Sequence, residues 1–368
     1  MEQPRVSITQ PYVPRYRLPL LDRIISSLAD KDVQARVFYA SDTNAAGRAR
    51  GDSEAPAWAE QVQGYSTATT LGVGTYRRLP DGWRRPDLLL TELAAGNGNA
   101  WASKFTRRPY VLIGHGKGYT NEESQASIRL EAEICKSARH VLTYVESGRR
   151  EVIARTGLPT HRVSAFRNST DTYELSRHVA AVTTQEVDQF RAEKHISPKA
   201  RCALFIGALE AYKRIDLLSE AAEIVFRQDP EVHLIVGGDG PERAVIEQLC
   251  SKYVRRVTWL GRIETADVAL AGRVSSFVVC PGRVGLLAVD SLALGLPLLT
   301  TNYRYHGPEI EYLASDRSLV VVAEDADELA GAWLQMKTSA RRPSMRPPTI
   351  GDAASHIADV VLRQLGRA

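Results

Sequence analysis

Apolar and polar positions alternate with two different periods along this chain. Short runs of mostly β-branched or apolar residues, such as Val6–Thr9 and Ala203–Ile206, are followed by segments whose apolar residues recur at helical spacing. This succession runs through the first half of the chain and begins again in the second. Strands that alternate with helices are typical of parallel sheets, so we predict an α/β protein with two parallel-sheet domains.

The same pattern sets the limits of the individual elements. Further strands are predicted at Val33–Tyr39, Asp87–Thr91, Tyr110–Ile113, His140–Tyr144, Arg162–Phe166, Val232–Val236, Val257–Leu260, Ser276–Val279, Leu298–Thr300 and Leu319–Val322. Helices are predicted at Leu18–Leu28, Gly98–Thr106, Ser127–Ser137, Ser147–Arg155 and Ala353–Leu365. The polar stretch Ser41–Pro86 has little periodicity, which predicts a poorly ordered segment or a binding loop. The charged segment Val182–Pro198 is predicted to connect the two halves.

Composition narrows the class of protein. At 368 residues, with 44% hydrophobic and 24% charged residues, the chain can build two cores of ordinary size. Its net charge of +4 is too small to indicate nucleic acid, which we do not expect as a partner. Arginine clusters such as Arg15, Arg17 and Arg23 are either solvated surface or contacts for phosphates and anionic lipid head groups.

Compartment follows from the cysteines and the N-terminus. The four cysteines are far apart and form no CxxC pair, which favours reduced thiols in a cytoplasmic protein. The first residues resemble no signal peptide, and the chain has no run of about 18 apolar residues. Any membrane contact is therefore expected to be peripheral, at the inner face of the plasma membrane.

The segment from Val278 to Thr301 carries the most chemistry. It predicts a buried strand, a turn at Pro281-Gly282, a helix that opens at Gly285, and a second strand. A turn of this kind directs the free N–H groups of a helix start beyond the carboxyl ends of the strands, where phosphate is the usual ligand.

This segment resembles the donor-binding signature of the retaining GT-B glycosyltransferases of family 4 (glycosyl transferases group 1). The residues that fall on that family's pattern are Gly285, Leu286, Asp290, Gly295 and Pro297. Two positions depart from it: the first acid of the pattern is Gly282, and the second, usually Glu, is Asp290.

Three further blocks extend the resemblance through the second half. Gly207 and Lys213 fall on the strand–Gly–loop–Lys block. The position of the family's arginine is occupied by Ala208, so that one usual cation is missing unless Arg214, Arg167 or Arg283 replaces it. On its own, Lys213 would be an ordinary exposed lysine. Gly238 and Gly240 match a Gly-rich turn that either admits a nucleobase or ribose or is simply a tight turn, and Arg262-Ile263 follows a Leu-Gly pair whose backbone lies against the base.

In the first half, His115 falls on the family's strand-end histidine, next to the transferred sugar. A turn histidine bonded to local backbone is the alternative. Asn168 and Asp171 match a segment that we expect to brace the hinge. Arg15 and Arg17 occupy the position of a Gly-Gly loop near the donor phosphates, and together with Arg167 they are candidate contacts for a phosphate or a charged acceptor.

The resemblance implies a GT-B fold, in which two Rossmann-like domains face each other across a cleft. The predicted domains are residues 1–171 with 352–368, which bind the acceptor, and residues 172–351, which bind the nucleotide-sugar. The implied catalytic residues are His115 and Lys213. The implied donor contacts are Gly207, Lys213, Gly238, Gly240, Arg262, Ile263, Gly282, Arg283, Val284, Gly285, Leu286 and Asp290.

The implied activity is transfer of a sugar from a UDP- or GDP-sugar to an acceptor hydroxyl with retention of configuration. Bacterial polysaccharide or glycolipid assembly, with a sugar or lipid-linked acceptor and peripheral contact with an anionic membrane, is the family's commonest setting. The family that the chain resembles does not use the DxD metal motif of the GT-A type, so no metal and no cofactor are expected.

Other functions on similar scaffolds are less well supported. The alternative is a non-catalytic GT-B subunit, because Ala208 and Gly282 replace usual donor contacts. Nothing in the sequence suggests a pyridoxal-phosphate lysine or the acid cluster of an epimerase. A nicotinamide-dependent dehydrogenase is disfavoured because the first strand runs into Gln10-Pro11-Tyr12 and not into a Gly-x-Gly-x-x-Gly turn.

Overall fold

The computed structural model describes residues 3–40, 56–69, 72–119, 122–314, 318–336 and 343–367. It divides into two compact units: unit 1 comprises Met1–Asn168 with Thr349–Ala368, and unit 2 comprises Ser169–Pro348. The domain boundaries predicted from the sequence, after residue 171 and before residue 352, each lie three residues further along the chain than the boundaries between the units.

Unit 1 is built on a seven-stranded parallel sheet with the order β3-β2-β1-β6-β7-β8-β9. The strands are β1 (Arg5–Gln10), β2 (Gln34–Tyr39), β3 (Ala59–Gln61), β6 (Leu88–Glu92), β7 (Tyr110–Gly114), β8 (His140–Thr143) and β9 (Val163–Ala165). The central strands β6, β7 and β8 are almost completely buried, as expected for a sheet that is covered on both faces.

The helices of unit 1 are α1 (Leu18–Ala29), α2 (Gly98–Phe105), α3 (Gln125–Ser137), α4 (Glu146–Thr156) and α13 (Ile350–Gln364). Leu20, Leu21 and Ile24 lie on the buried face of α1, as their helical spacing predicts. The chain's last long helix, α13, packs against α1 and so belongs to unit 1. Thr349 caps α13 by accepting a hydrogen bond from the N–H of Asp352.

The prediction of irregular structure between Ser41 and Pro86 is wrong for the described part of that stretch. Besides β3, it contains the antiparallel hairpin of β4 (Gly64–Thr69) and β5 (Gly72–Arg77), in which Tyr65 faces Tyr76. The hairpin strands are rich in Gly and Thr and lack an apolar alternation, so periodicity did not reveal them. Residues 41–55 and 70–71 lie outside the described residues.

Unit 2 is built on a six-stranded parallel sheet with the order β12-β11-β10-β13-β14-β15. The strands are β10 (Arg201–Ile206), β11 (Val232–Gly237), β12 (Val257–Trp259), β13 (Ser275–Val279), β14 (Leu298–Thr301) and β15 (Leu319–Val322). The helices are α5 (Thr172–Ala181), α6 (Thr184–Glu193), α7 (Ile215–Gln228), α8 (Arg243–Lys252), α9 (Thr265–Val274), α10 (Leu287–Leu294), α11 (Glu311–Ala314) and α12 (Ala326–Gln335).

The segment Val182–Pro198 does not connect the two units. It forms helix α6 inside unit 2, where a capping box of Thr183 and Glu186 starts the helix and α9 packs against it. The chain instead passes between the units near residues 168 and 349. The hydroxyls of Ser169 and Thr172 both donate to the carbonyl of Pro348, so the two crossing segments are tied together at unit 2.

Candidate functional site

The strand order of unit 2 places the candidate residues at a single edge of its sheet. The chain runs from β10 outward to β11 and β12, then returns to β13 on the other side of β10. Ligands of open parallel sheets bind outside the carboxyl ends of the strands at such a reversal. The loop after β10 carries Lys213, and the loop after β13 carries Gly282–Leu286.

Lys213 lies between these two loops. Its Nζ donates a hydrogen bond to the carbonyl oxygen of Arg283, at 2.6 Å. It also approaches Gly207, because a Cβ placed on that glycine would lie 3.6 Å from the lysine Cε. The positive charge of Lys213 lowers the pKa of Asp290, which opposes the effect of burial on that carboxyl group. The structure therefore brings Gly207, Lys213, Arg283 and Asp290 together.

Gly282 has a structural reason to be glycine. Its N–H donates to the carbonyl of Lys213 at 3.0 Å, and the next N–H, of Arg283, donates to the carbonyl of Tyr212 at 2.8 Å. A Cβ on Gly282 would lie 2.3 Å from the carbonyl oxygen of Tyr212 and 2.5 Å from the carbonyl carbon of Lys213. The family's acid has no room here, because the backbone that carries Lys213 fills the space.

The turn before α10 has a different hydrogen-bonding pattern from the one expected. The N–H of Val284 donates to Nδ1 of His306 at 3.1 Å, and its carbonyl accepts from the N–H of Gly307 at 2.5 Å. The N–H of Val284, an implied donor contact, is therefore not one of the free N–H groups expected at this helix start. The N–H groups of Gly285 and Leu286 find no acceptor among the described residues, and a Cβ on Gly285 would meet open space.

His306 is a residue of this site that the sequence analysis missed. Its Nε2 lies 2.9 Å from the carbonyl oxygen of Thr301, so Nε2 carries the proton and Nδ1 is free to accept from Val284. Burial lowers its pKa, as do the charges of Lys213 and Arg283, against the bond to Thr301. The neutral ring thus links the turn before α10 to the end of β14. The only signal in the sequence was a histidine soon after a predicted strand.

We expect His306→Ala to destabilise unit 2 by about 1–3 kcal/mol, because the N–H of Val284 loses its acceptor in a half-buried setting. Urea unfolding at neutral pH measures the change. His306→Asn, which can offer an amide oxygen to the same N–H, should recover part of the loss. Equal destabilisation by both substitutions would contradict the assigned hydrogen bond.

Asp290 is held in place by a neighbouring segment. Its Oδ1 accepts a hydrogen bond from the Thr170 hydroxyl at 2.8 Å, and α5 packs against α10. Burial raises the pKa of Asp290 to about 6, while the bond from Thr170 and the charge of Lys213 act in the opposite direction. Asp171 caps α5 by accepting from the N–H of Glu174, so this segment supports the site structurally.

The pKa of Asp290 predicts a pH-dependent difference between wild type and Asp290→Asn. The folded-state pKa lies above the unfolded value near 4, so the stability that protonated Asp290 gives is lost as pH rises from about 4 to about 6. The variant lacks this loss, so its free energy of unfolding should rise by about 1–3 kcal/mol relative to that of wild type between about pH 4 and pH 8. Urea unfolding at both pH values measures it, and a pH-independent difference would contradict the raised pKa.

The remaining glycines lie where the loop after β11 packs against the loop after β10. Cβ atoms on Gly238 and Gly240 would lie 1.8 Å and 2.5 Å from the carbonyl oxygens of Gly207 and Leu209. These glycines are thus required by the backbone contact, with or without a ligand. Ile263 packs over Gly237, and the side chain of Arg262 is exposed. Both reach the same sheet edge because the N–H of Gly238 donates to the carbonyl of Gly261.

The three arginines that were candidates to replace the missing cation at Ala208 differ in their surroundings. Arg214 forms ion pairs with Asp216 and Glu324, which occupy its guanidinium. The Arg283 guanidinium lies 4.8 Å from the centre of the Tyr212 ring, and its Nε donates to the carbonyl of Tyr305. Arg167 is exposed and belongs to unit 1. Among these three, Arg283 is the one whose backbone carbonyl accepts a hydrogen bond from Lys213.

In unit 1, His115 and Arg17 meet through Tyr144. The His115 ring packs edge-on against the Tyr144 ring, with 4.6 Å between centroids, and the Arg17 guanidinium donates to the Tyr144 hydroxyl. Arg17 also reaches Gln10 at the end of β1. These residues share the carboxyl edge of the sheet, whose strand order reverses between β1 and β6. Arg15 is exposed nearby along the chain.

A buried polar network at the same edge was not predicted. Glu92 pairs with Arg77 at 3.0 Å, and Asn97 donates to the carbonyl of Glu92 and to the hydroxyl of Thr91. Burial raises the pKa of Glu92, although the charge of Arg77 opposes this shift. Arg77 belongs to the hairpin that the sequence did not reveal, so its pairing with β6 could not be foreseen.

Two classes of feature are absent from the described residues. No group of three or more His, Cys, Asp or Glu side chains there is arranged to hold a metal ion. No described helix is both long enough and apolar enough to cross a membrane.

The main sheet of each unit is parallel and Rossmann-like, as in the GT-B architecture, and the candidate site of unit 2 lies outside the carboxyl ends of the strands at a reversal of strand order. Residues 186–345 match the model of the family Glycosyl transferases group 1. The chain thus carries a domain of the glycosyl transferases group 1 type, which covers most of unit 2.

Curated relatives are similar over part of their length. The phosphatidylinositol N-acetylglucosaminyltransferase gpi3 subunit of Schizosaccharomyces pombe is 24% identical over 221 residues, which are 55% of this chain and 45% of that protein. The alpha-monoglucosyldiacylglycerol synthase of Streptococcus pneumoniae is 23% identical over 183 residues, which are 48% and 40% of the two chains. The chain therefore spans less than half of the length of these relatives.

Solved structures match the whole chain in fold. A glycosyltransferase from Rickettsia africae has a TM-score of 0.69 at 9% identity, with 100% of both chains covered. Anabaena Alr3699/HepE, solved with UDP and glucose, has a TM-score of 0.59 at 17% identity and covers 98% and 97%. The UDP-GlcNAc 2-epimerase of Methanocaldococcus jannaschii has a TM-score of 0.58 at 10% identity and covers 98% and 99%.

Proposed function

We propose that this protein is a glycosyltransferase that moves a sugar from a nucleoside diphosphate donor to an acceptor hydroxyl with retention of configuration. The observation that carries the proposal is the convergence of Lys213, Arg283 and the unpaired N–H groups of Gly285 and Leu286 at the reversal of strand order in unit 2. The family match over residues 186–345 and the UDP bound to a structural neighbour support it.

The proposed chemistry places the donor diphosphate against the start of α10. Backbone N–H groups and the positive end of a helix favour an anion there, and Lys213 adds a full positive charge. In the transfer, the bond between the anomeric carbon and the leaving phosphate oxygen breaks while a bond to the acceptor oxygen forms. The proton of the acceptor hydroxyl passes to the departing phosphate. Stabilising the charge on the diphosphate as the sugar leaves is then the main catalytic contribution.

Other roles are assigned by position within each unit. Asp290, once ionised, would accept hydrogen bonds from ribose hydroxyls, and the turns at Gly238 and Arg262 would lie against the base. In unit 1, His115 would contact the transferred sugar, and Arg17 or Arg15 a phosphate or charged acceptor. The acceptor would be a sugar or a lipid-linked sugar, used in glycolipid or polysaccharide assembly at the inner membrane face. Curated relatives whose names include phosphatidylinositol and diacylglycerol favour the lipid-linked acceptor.

A panel of nucleotide-sugars tests the proposal. We expect one UDP- or GDP-sugar to raise the melting temperature, because a ligand that binds only the folded state stabilises it by mass action. Transfer to a glycolipid or oligosaccharide acceptor is followed by NMR, in which the anomeric coupling constant of the product reports retention. An inverted product would refute the stereochemistry and leave the transferase proposal standing.

Two competing functions give different results in the same assay. A non-catalytic subunit would bind the nucleotide-sugar yet neither transfer nor slowly hydrolyse it. This alternative is favoured by Ala208, which provides no cation, and by Gly282, which has no room for an acid. An epimerase, which the fold alone does not separate from a transferase, would release a C2 epimer without any acceptor.

A further inference from the structure

Unit 1 contains a large cationic pocket at the edge of its sheet opposite the one that carries His115. The pocket has a volume of about 760 Å³ and lies where β7 and β8 begin, at Tyr110 and Arg139. Its basic lining residues come from the end of α2, the start of β8 and the turn before β9: Lys104, Arg107, Arg108, Arg139, His161 and Arg162.

The positive charge of the pocket is largely unbalanced. Lys104 pairs with Glu133 at 3.2 Å, but that carboxylate is shared with Lys136 at 3.0 Å. Within the described ranges, Arg107, Arg108, Arg139 and Arg162 form no ion pair with any carboxylate. Arginine stays charged at every physiological pH, so these side chains repel one another unless an anion joins them.

The buried histidine behind the pocket responds to this field. The pKa of His140 is lowered to about 4, first by burial and then by the charges of Arg363, His356, Arg162 and His161. His140 and His356 are both bonded to the hydroxyl of Ser164, at 2.8 Å each. Neutral histidines at this place add no further positive charge beneath the arginines.

Structural duties account for only two of the four arginines. Arg162 donates to the carbonyls of Lys136 and Ala138 at the end of α3, and Arg108 donates to the carbonyl of Arg84 at 2.7 Å. The side chains of Arg107 and Arg139 make no hydrogen bond within the part of the chain that the structure describes. Arg107 even adopts a left-handed backbone conformation (φ 54°), where asparagine or glycine would be less costly.

We propose that this pocket binds a ligand through a phosphomonoester or diphosphate group. Arginine side chains present planar pairs of N–H donors that match phosphate oxygens bidentately. Two anchored arginines would form the base of the site, and Arg107 with Arg139 would close on the anion from the rim. The volume exceeds that of a phosphate group and leaves room for a sugar or glycerol portion. The site is independent of the transferase function proposed above.

The test compares two double variants that lose the same charge. Arg107→Asn with Arg139→Gln removes the rim of the pocket, and asparagine tolerates the left-handed conformation of residue 107. Arg129→Gln with Arg150→Gln removes two exposed arginines of unit 1 that do not line the pocket. Sodium pyrophosphate is titrated calorimetrically into each protein at constant ionic strength, with and without saturating UDP to occupy the nucleotide site.

We expect the rim variant to bind pyrophosphate about tenfold more weakly than wild type, and the control variant to bind it normally. Lys213→Ala should keep this binding, and the rim variant should keep its melting shift with a nucleotide-sugar, so the two proposals fail separately. Binding of vesicles of phosphatidic acid, a phosphomonoester lipid, in phosphatidylcholine by wild type, lost in the rim variant, would identify a lipid head group as the source. Pyrophosphate binding without vesicle binding would identify a soluble phosphate compound. Unchanged pyrophosphate affinity in the rim variant, or an equal loss in the control, would overturn the proposal.

Discussion

Lys213→Ala is expected to reduce the turnover of the proposed transfer reaction by about 10²–10³-fold, the range seen when one preorganised charge-stabilising donor is removed. Lys213 Nζ lies 2.6 Å from the carbonyl oxygen of Arg283, in the turn that precedes α10. A diphosphate that gains negative charge as the sugar leaves would meet this ammonium group first. Turnover is measured with a donor that stabilises the wild-type protein.

The same substitution should also remove most of the stabilisation by that donor. Lys213→Met keeps the aliphatic stem against Gly207 and separates loss of charge from loss of packing. Lys252→Ala removes an exposed lysine at the end of α8, which pairs with Glu223 of α7, and serves as the control for loss of a surface charge. Full activity in Lys213→Met would refute the electrostatic role, whereas equal losses in Lys213→Met and Lys213→Ala would support it.

The fold could be predicted from the sequence wherever hydrophobic periodicity was strong. The buried strands of both sheets and helices such as α1 lie within a few residues of their expected limits. Local pattern failed where tertiary contacts decide the structure. The hairpin of Gly64–Thr69 and Gly72–Arg77 owes its place to Arg77, which pairs with Glu92, and to Thr75, whose N–H donates to the carbonyl of Gly96. Partners so distant in sequence leave no periodic signal.

The sequence predicts where the residues of the candidate site lie along the chain, but it does not predict how they contact one another. The positions of Lys213 and Gly285 follow from strand ends and helix starts, which local pattern identifies. The hydrogen bond between Val284 and His306 depends on a residue 22 positions further along the chain returning to the same sheet edge. The reason for Gly282 likewise appears only when the loop after β10 is seen against it, because the clash involves the backbone of a segment 70 residues earlier.

Gly282→Ala is expected to destabilise the protein by about 3 kcal/mol, at the upper end of the cost of overpacking, and to weaken donor binding with it. The added Cβ would lie 2.3 Å from the Tyr212 carbonyl oxygen, and backbone cannot move aside as a flexible side chain can. Relief requires the turn that carries Lys213 to shift and its two hydrogen bonds to break.

Gly285→Ala, three residues along the same turn, is the matched comparison. A Cβ there meets no atom within 4 Å, so unfolding in urea should change by less than about 1 kcal/mol. If a diphosphate lies against the N–H groups of Gly285 and Leu286, the new methyl group should nevertheless weaken donor binding, because only glycine lets the backbone approach a ligand this closely. We therefore expect Gly285→Ala to lose donor binding but not stability, and Gly282→Ala to lose both. This difference would distinguish a ligand surface at residue 285 from a packing contact at residue 282. Wild-type donor affinity in Gly285→Ala would place the diphosphate elsewhere.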